Sequence, residues 1–274
     1  MIHRETRSIA SRTLSWLESG SPEATRVIVW LHAFPLSSAM WKRQLEATPP
    51  GWRAIAPDFA GFGLSDDHTG TPFIEDFARD VDALMSTLGV PSAIIAGLSM
   101  GGYAALAFHR VAPERIAGLV LADTKSGADT PQARVGREGM LKVVESRGAS
   151  GVADEMMPKL VGRTTLASRP EVIATVRGLI ESNGPEGIGR AVRRLRDRPD
   201  STPQLAAIRV PTLVIVGEED VILPVDDSRA LATGIAGATL TVLPESGHLS
   251  NLETPDAFNA AVAQWLGTLP AARA

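Results

Sequence analysis

The sequence predicts an α/β fold: a mostly parallel central sheet flanked by helices, with a helical segment inserted in its second half. Three observations predict it. Short apolar runs alternate with amphipathic segments at both ends of the 274-residue chain, as strands covered on both faces by crossover helices do. That alternation stops over 125–205, which reads as helical throughout. One apolar run, Ser92-Ala93-Ile94-Ile95-Ala96, leads into Gly97-Leu98-Ser99-Met100-Gly101 and then into the helical pattern Gly102-Tyr103-Ala104-Ala105-Leu106-Ala107. This is G-x-S-x-G in a strand–turn–helix setting, a tight turn that holds a serine hydroxyl clear of the sheet edge.

In chain order, the N-terminus carrying His3 is expected to be unanchored. Thr13-Leu14-Ser15-Trp16-Leu17 alternates apolar and polar residues, predicting an antiparallel edge strand. Val27-Ile28-Val29-Trp30-Leu31 is nearly continuous, as expected of a strand buried on both faces, and Arg53-Ala54-Ile55-Ala56 is a shorter candidate. Over 73–88, Phe73, Phe77, Val81, Leu84 and Leu88 recur at spacings of three and four, which predicts a helix. Strands follow at Leu119-Val120-Leu121, Leu213-Val214-Ile215-Val216 and Leu240-Thr241-Val242-Leu243. Thr254 and Pro255 read as the N-cap and first position of a last helix whose stripe is Phe258, Val262, Trp265 and Leu266.

The insertion carries breaks at Pro131, Pro158, Pro170, Pro185 and Pro199. It leaves the sheet after a strand ending near Asp123 and returns before the next at Thr212. The predicted organisation is therefore a core of 1–124 and 206–274 with a helical cap, or lid, at 125–205. The cap has 14 Lys and Arg against 10 Asp and Glu, a net of +4, so the remainder of this −4 chain carries −8. A basic lid would attract anionic substrates; a solvated arginine-rich surface is the preferred explanation.

Composition narrows the function class. With 44% hydrophobic and 21% charged residues the chain is an ordinary soluble globular protein, and a net charge of −4 argues for neither a nucleic-acid nor a membrane partner. Zero cysteines excludes disulfides, thiolate metal sites and cysteine nucleophiles. The charged start Met1-Ile2-His3-Arg4-Glu5-Thr6-Arg7 lacks the apolar stretch of a signal peptide, and no apolar run approaches spanning length. A cytoplasmic enzyme acting on a small molecule, as a monomer or small homo-oligomer, is the expectation.

By chance about one chain of this length in ten contains G-x-S-x-G, so Ser99 needs partners. A serine nucleophile requires a base, a group orienting that base, and donors for an oxyanion. Among five histidines, His248 is preferred. It lies in Pro244-Glu245-Ser246-Gly247-His248-Leu249, after the last strand, and strand carboxyl ends are where open α/β sheets place their sites. His68 is in a polar loop, and His109 is ten residues into the helix after Ser99. For the orienting carboxylate, Asp220 in Gly217-Glu218-Glu219-Asp220 follows a strand and keeps the chain order serine, acid, histidine. Glu218 and Glu219 are alternatives. Asp123 is another, although a role capping the lid suits it better.

These pieces, with His32-Ala33-Phe34-Pro35 and Asp58-Phe59-Ala60-Gly61-Phe62-Gly63-Leu64-Ser65, resemble an α/β-hydrolase over essentially the full chain. Within that fold the sequence is similar to small bacterial carboxylesterases near the 3-oxoadipate enol-lactonase branch, through Leu121-Ala122-Asp123-Thr124, Arg198-Pro199-Asp200-Ser201-Thr202 and the helical lid. The resemblance implies Ser99 as nucleophile, His248 as general base and then acid, and Asp220 holding the imidazole. It implies backbone N–H groups of Phe34 and Met100 as the oxyanion hole, with His32 orienting the Phe34 loop and the Asp58 carboxylate bonding its own loop. The family often has His-Gly where this chain has His32-Ala33; alanine fits unless the position needs positive φ.

The implied activity is a serine carboxylesterase for short- to medium-chain esters, working through an acyl-enzyme without metal or organic cofactor. Phe34, Trp41, Leu98, Met100, Met140, Met156 and Met157 are candidates for an apolar acyl pocket, although ordinary core packing explains Trp41 and the lid methionines equally well. Enol-lactone hydrolysis and carbon–carbon bond hydrolysis are alternatives, and a non-catalytic ligand receptor is the alternative outside enzymes. Haloalkane dehalogenation is disfavoured, because it needs a carboxylate where this chain has Ser99.

Overall fold

The computed structural model describes residues 1–270. Eight strands build one sheet: β1 (His3–Ile9), β2 (Arg12–Gly20), β3 (Arg26–Leu31), β4 (Trp52–Pro57), β5 (Ala93–Leu98), β6 (Ile116–Ala122), β7 (Thr212–Gly217) and β8 (Thr239–Leu243). Their order across the sheet is β1-β2-β4-β3-β5-β6-β7-β8. From β4 to β8 neighbouring strands are parallel, and β2 runs antiparallel to both β1 and β4. The strands β4, β5 and β7 are buried at every residue, which is why their sequences are largely apolar instead of alternating; the one charge among them, Arg53 of β4, donates to Glu18 at 2.7 Å.

The N-terminal expectation is corrected in two respects. Thr13–Leu17 lies in β2, which is antiparallel, but β1 occupies the edge, with His3 paired to Glu18. The N-terminus is therefore anchored. Arg4 secures it by donating to the Asp58 carboxylate at 2.6 Å and to the Ser15 hydroxyl at 2.7 Å.

The helices of the core are α1 (Lys42–Glu46), α2 (Ile74–Thr87) and α3 (Met100–Val111). In α2, Phe77, Val81 and Leu84 are buried, and Phe77 stacks on Phe59 at 4.2 Å. Phe73 is the N-cap and is 54% exposed, so the buried stripe begins one turn later than its spacing suggests.

Between β6 and β7 lie α4 (Pro131–Leu160), α5 (Arg163–Ser168), α6 (Pro170–Glu181), α7 (Pro185–Asp197) and a 3-10 segment, Thr202–Ala207. Pro131, Pro170 and Pro185 each start a helix, where the missing N–H costs nothing. Pro158 does not break the chain: it sits near the C-terminal end of α4, whose kink is at Gly148 with φ 60° and ψ −155°. Without a Cβ, glycine adopts this backbone freely. Leu141 and Val144 of α4 are buried with Ile188, Ala191, Val192 and Leu195 of α7. The arginines of the insertion are mostly spent on carboxylates. Arg137 and Arg198 hold Asp129, Arg190 and Arg194 hold Asp67, Arg163 holds Glu219, and Arg169 holds Glu245. Asp67, Glu219 and Glu245 belong to the core, so four arginines of the insertion are neutralised from outside it, leaving less of its excess charge to attract an anion.

The chain closes with α8 (Val225–Gly234), the short α9 (Ser250–Glu253) and α10 (Pro255–Leu266). Thr254 is the N-cap of α10 by position only, since its hydroxyl donates back to the Ser250 carbonyl. Among the described residues, no helix is long and apolar enough to cross a membrane.

Candidate active site

The carboxyl ends of β3, β5, β6, β7 and β8 lie along one end of the sheet, and the loops leaving them bring together residues far apart in sequence. Ser99 occupies the turn from β5 into α3 with φ 54° and ψ −111°, a left-handed backbone that non-glycine residues rarely adopt. The flanking glycines make this turn possible. A Cβ at Gly97 would lie 2.1 Å from the Gly101 carbonyl oxygen, and one at Gly101 would lie 2.0 Å from that of Leu31. The Ser99 N–H donates to the Ala122 carbonyl at 2.9 Å, and the Thr124 hydroxyl donates to the Ser99 carbonyl at 2.9 Å.

Ser99 Oγ lies 2.8 Å from His248 Nε2, and His248 Nδ1 lies 2.7 Å from Asp220 Oδ2. All three residues are buried. The other carboxylate oxygen, Asp220 Oδ1, accepts the backbone N–H groups of Ile222 at 2.8 Å and Leu223 at 2.9 Å, so the loop itself fixes the carboxylate plane. Burial pulls the His248 pKa down, but the charge and hydrogen bond of Asp220, with smaller contributions from Asp123 and Glu253, outweigh it and hold the imidazole above its ordinary value.

The rival carboxylates have other partners. Glu219 accepts from Thr164 N–H and hydroxyl and from Arg163, tying the Asp220 loop to the start of α5. Glu218 is exposed. Asp123 does not cap the insertion. At φ 44° it turns back over the sheet, accepts from Gly217 N–H at 2.8 Å and pairs with the Ser250 hydroxyl. Burial, reinforced by repulsion from Asp220, pushes the Asp123 carboxyl well above the usual carboxylate range.

The Met100 N–H opens α3, where no preceding turn supplies an acceptor. Neither it nor the Phe34 N–H meets a protein acceptor among the described residues. The Phe34 loop is held by His32, whose Nδ1 contacts the Ala33 carbonyl at 3.0 Å while Nε2 accepts the Phe59 N–H at 3.0 Å. That pairing requires the neutral Nδ1–H tautomer, and burial lowers the His32 pKa to about 4. Ala33 does not adopt positive φ, so alanine fits where glycine is common. Asp58 bonds its own surroundings, accepting from Ser38, Leu64 and Arg4.

Of the proposed pocket residues, Phe34, Leu98, Met100 and Met157 are buried, while Met140 and Met156 are half-buried on α4. Trp41 has the contacts of its packing alternative: its ring lies 4.8 Å from Trp30 and 6.0 Å from Phe258, in an aromatic core cluster.

Two contributors carry no sequence motif. Asn183, between α6 and α7, donates to the Pro35 carbonyl at 3.0 Å and accepts the Gly63 N–H at 3.0 Å, bridging the insertion to the loops after β3 and β4. Glu253 of α9 grips the His248 loop. Neither position is legible from spacing, because their partners lie on distant segments.

The pattern of the alpha/beta hydrolase fold family matches residues 26–255. The chain is 36% identical to the solved structure of a thermophilic esterase from Thermogutta terrifontis, with TM-score 0.91 over 97% of this chain and 99% of that one. It is 30% identical to 3-oxoadipate enol-lactonase 2 of Acinetobacter baylyi over 86% of each chain. It is 26% identical to a 2-hydroxy-6-oxononadienedioate/2-hydroxy-6-oxononatrienedioate hydrolase of Klebsiella pneumoniae over 96% of this chain and 97% of that one. With this family pattern, sheet order and strand–turn–helix serine, the chain belongs to the α/β hydrolase fold family.

Proposed function

We propose that this protein is a serine carboxylesterase that hydrolyses short- to medium-chain carboxylic esters through an acyl-enzyme. The observation that carries the reading is the hydrogen-bonded chain from Ser99 through His248 to Asp220, at 2.8 and 2.7 Å. In this reading Ser99 Oγ attacks the ester carbonyl as His248 Nε2 takes its proton, and Asp220 stabilises the imidazolium. The oxyanion accepts the free N–H groups of Phe34 and Met100, each contributing about 3 kcal/mol to the transition state. The imidazolium returns its proton to the departing alcohol. Neutral His248 then draws a proton from water as it attacks the acyl-enzyme, and returns that proton to Ser99 Oγ as the bond to the serine breaks and the acid leaves.

The inserted helices act as the lid, and Phe34, Leu98, Met100, Met140 and Met156 supply apolar surface for the acyl chain. Similarity to the Thermogutta terrifontis esterase supports the ester reading. A second reading, hydrolysis of an enol-lactone, is favoured by the 30% identity to the Acinetobacter enzyme; the same machinery would open a cyclic ester. Cleavage of a carbon–carbon bond rests on the weaker 26% likeness.

Ser99→Ala is expected to abolish turnover of p-nitrophenyl esters while leaving circular dichroism unchanged, and an organophosphonate should label Ser99 alone. Near-wild-type activity in the variant refutes the nucleophile. A panel of p-nitrophenyl esters of increasing chain length, an enol-lactone and a vinylogous diketone separates the substrate classes by kcat/KM. Failure to turn over any of them favours a ligand receptor.

A further inference from the structure

The buried carboxylate of Glu253 has four donors drawn from two different parts of the fold. Its Oε1 accepts the backbone N–H groups of Gly247 at 3.0 Å and Leu249 at 3.2 Å, the residues immediately before and after His248. Its Oε2 accepts the Gly162 N–H at 2.7 Å and the Thr165 hydroxyl at 2.7 Å, both at the start of α5 in the insertion. Glu253 is 4% exposed, so water does not substitute for these partners. Leaving even one such buried donor unpaired is costly.

The two gripped segments touch directly. A Cβ at Gly247 would lie 2.2 Å from the Gly162 nitrogen, so only glycine lets the backbones approach closely enough for one carboxylate to span them. Arg169, at the N-cap of α6, reinforces the junction by donating to the carbonyls of Glu245 and Glu253 at 3.2 and 3.0 Å.

We infer that Glu253 is a positioning residue for His248, fixing the backbone on both sides of the imidazole and coupling its orientation to the seating of the inserted helices. The assignment rests on the reading of His248 as general base. Neither of the triad neighbours of His248 spans these segments: Asp220 holds the ring from the β7 loop, and Ser99 meets Nε2. The acidic groups facing His248 are Asp220 after β7, Asp123 after β6 and Glu253 on α9. The cations of the adjoining insertion, Arg163 and Arg169, are already paired with Glu219 and Glu245. Removing the Glu253 charge therefore takes away one of three acids that favour the imidazolium.

The test uses the full chain with 15N-labelled histidine, the His248 signal being assigned by its loss in His248→Gln. Glu253→Gln keeps the shape but turns one gripping oxygen into a donor facing donors. The expected result is a His248 titration midpoint below that of the unaltered protein. With it, kcat for a p-nitrophenyl ester should fall by about 10- to 100-fold, as a displacement of about 1 Å at the base would cause, while KM stays within about twofold. Rates are normalised to sites labelled by organophosphonate, so misfolded protein is not counted.

Glu253→Asp keeps the charge but reaches only one segment; it should retain the midpoint and still lower kcat. If Glu253→Gln does not fold, the Asp variant decides alone, and wild-type kcat in it overturns the assignment. An unchanged midpoint in folded Glu253→Gln also overturns it, even if kcat falls, since that describes general structural support. The NMR arm needs no substrate. Absence of ester turnover in the unaltered protein would refute the proposed function and leave the titration to decide the role of Glu253.

Discussion

Replacing Asp220 by asparagine isolates what the carboxylate does, because the structure dictates how the amide must sit. Oδ1 accepts two buried backbone N–H groups, at 2.8 and 2.9 Å. Turning the amide over would set its NH2 against both, at about 1–3 kcal/mol for each unpaired donor. The carbonyl oxygen therefore stays with Ile222 and Leu223, and the NH2 faces His248 Nδ1. Nδ1 must then accept, which moves the ring proton to Nε2, the nitrogen 2.8 Å from Ser99 Oγ. A protonated Nε2 is no base for that hydroxyl. The expected loss is about 10⁴-fold in kcat, the scale known for this tautomer change, or about 5.5 kcal/mol at 1.36 kcal/mol per tenfold. The assay is initial-rate hydrolysis of a p-nitrophenyl ester from pH 5 to 9, normalised to phosphonate-labelled sites. A loss below about tenfold across that range refutes Asp220 as the orienting group.

Three further expectations follow from the same neighbourhood. Because acidic neighbours hold the His248 pKa above its ordinary 6.5 and only the neutral imidazole accepts the serine proton, kcat/KM should fall as pH drops, with an acid-limb midpoint above 6.5; a midpoint below 6.5 contradicts this electrostatic assignment. Asp123→Asn retains an acceptor for Gly217 N–H, and asparagine tolerates the φ of 44° at this position. A carboxyl whose folded pKa lies above its ordinary 3.8 contributes stability below 3.8 and loses it as pH rises through the folded value. The variant should therefore match the wild-type melting temperature near pH 4 and exceed it as pH rises from there; parallel curves would exclude a raised Asp123 pKa. Gly101→Ala would put a methyl 2.0 Å from the Leu31 carbonyl oxygen. It should cost about 1–3 kcal/mol in a denaturant titration and displace Ser99; unchanged stability would mean the turn is looser than described.

Much of the core was legible because burial leaves a periodic trace. The continuous runs at 27–31 and 213–216 predict β3 and β7, and the spacing of Phe77, Val81 and Leu84 predicts α2. Expectations failed where tertiary contact overrode local pattern. His3 to Ile9 is polar and mostly exposed, so nothing in its sequence marks a strand; the open edge of β2 recruits it, and Arg4 secures it to Asp58. Pro158 looked like a helix breaker, yet the backbone change falls at Gly148. For Trp41 the sequence leaves pocket and core packing open, and its ring turns inward to Trp30 and Phe258.

The serine-centred arrangement divides along the same line. Local sequence determines part of the turn at Ser99: a side chain at Gly97 would strike the Gly101 carbonyl four residues on, whereas Gly101 must be glycine because the fold lays the Leu31 carbonyl of β3 against it. Chain order and position after a strand nominate Asp220 and His248. Sequence leaves Glu218, Glu219 and Asp123 open, because one carboxylate is chemically like another until its partners are known. The three-dimensional fold decides among them, assigning Asp220 to His248, Glu219 to Thr164 and Arg163, and Asp123 to Gly217 and Ser250. It alone reveals Asn183 and Glu253, whose partners are up to 148 and 91 residues away. Hydrogen bonds across such separations leave no period in a sequence; they exist only once the sheet has brought its loops to one end.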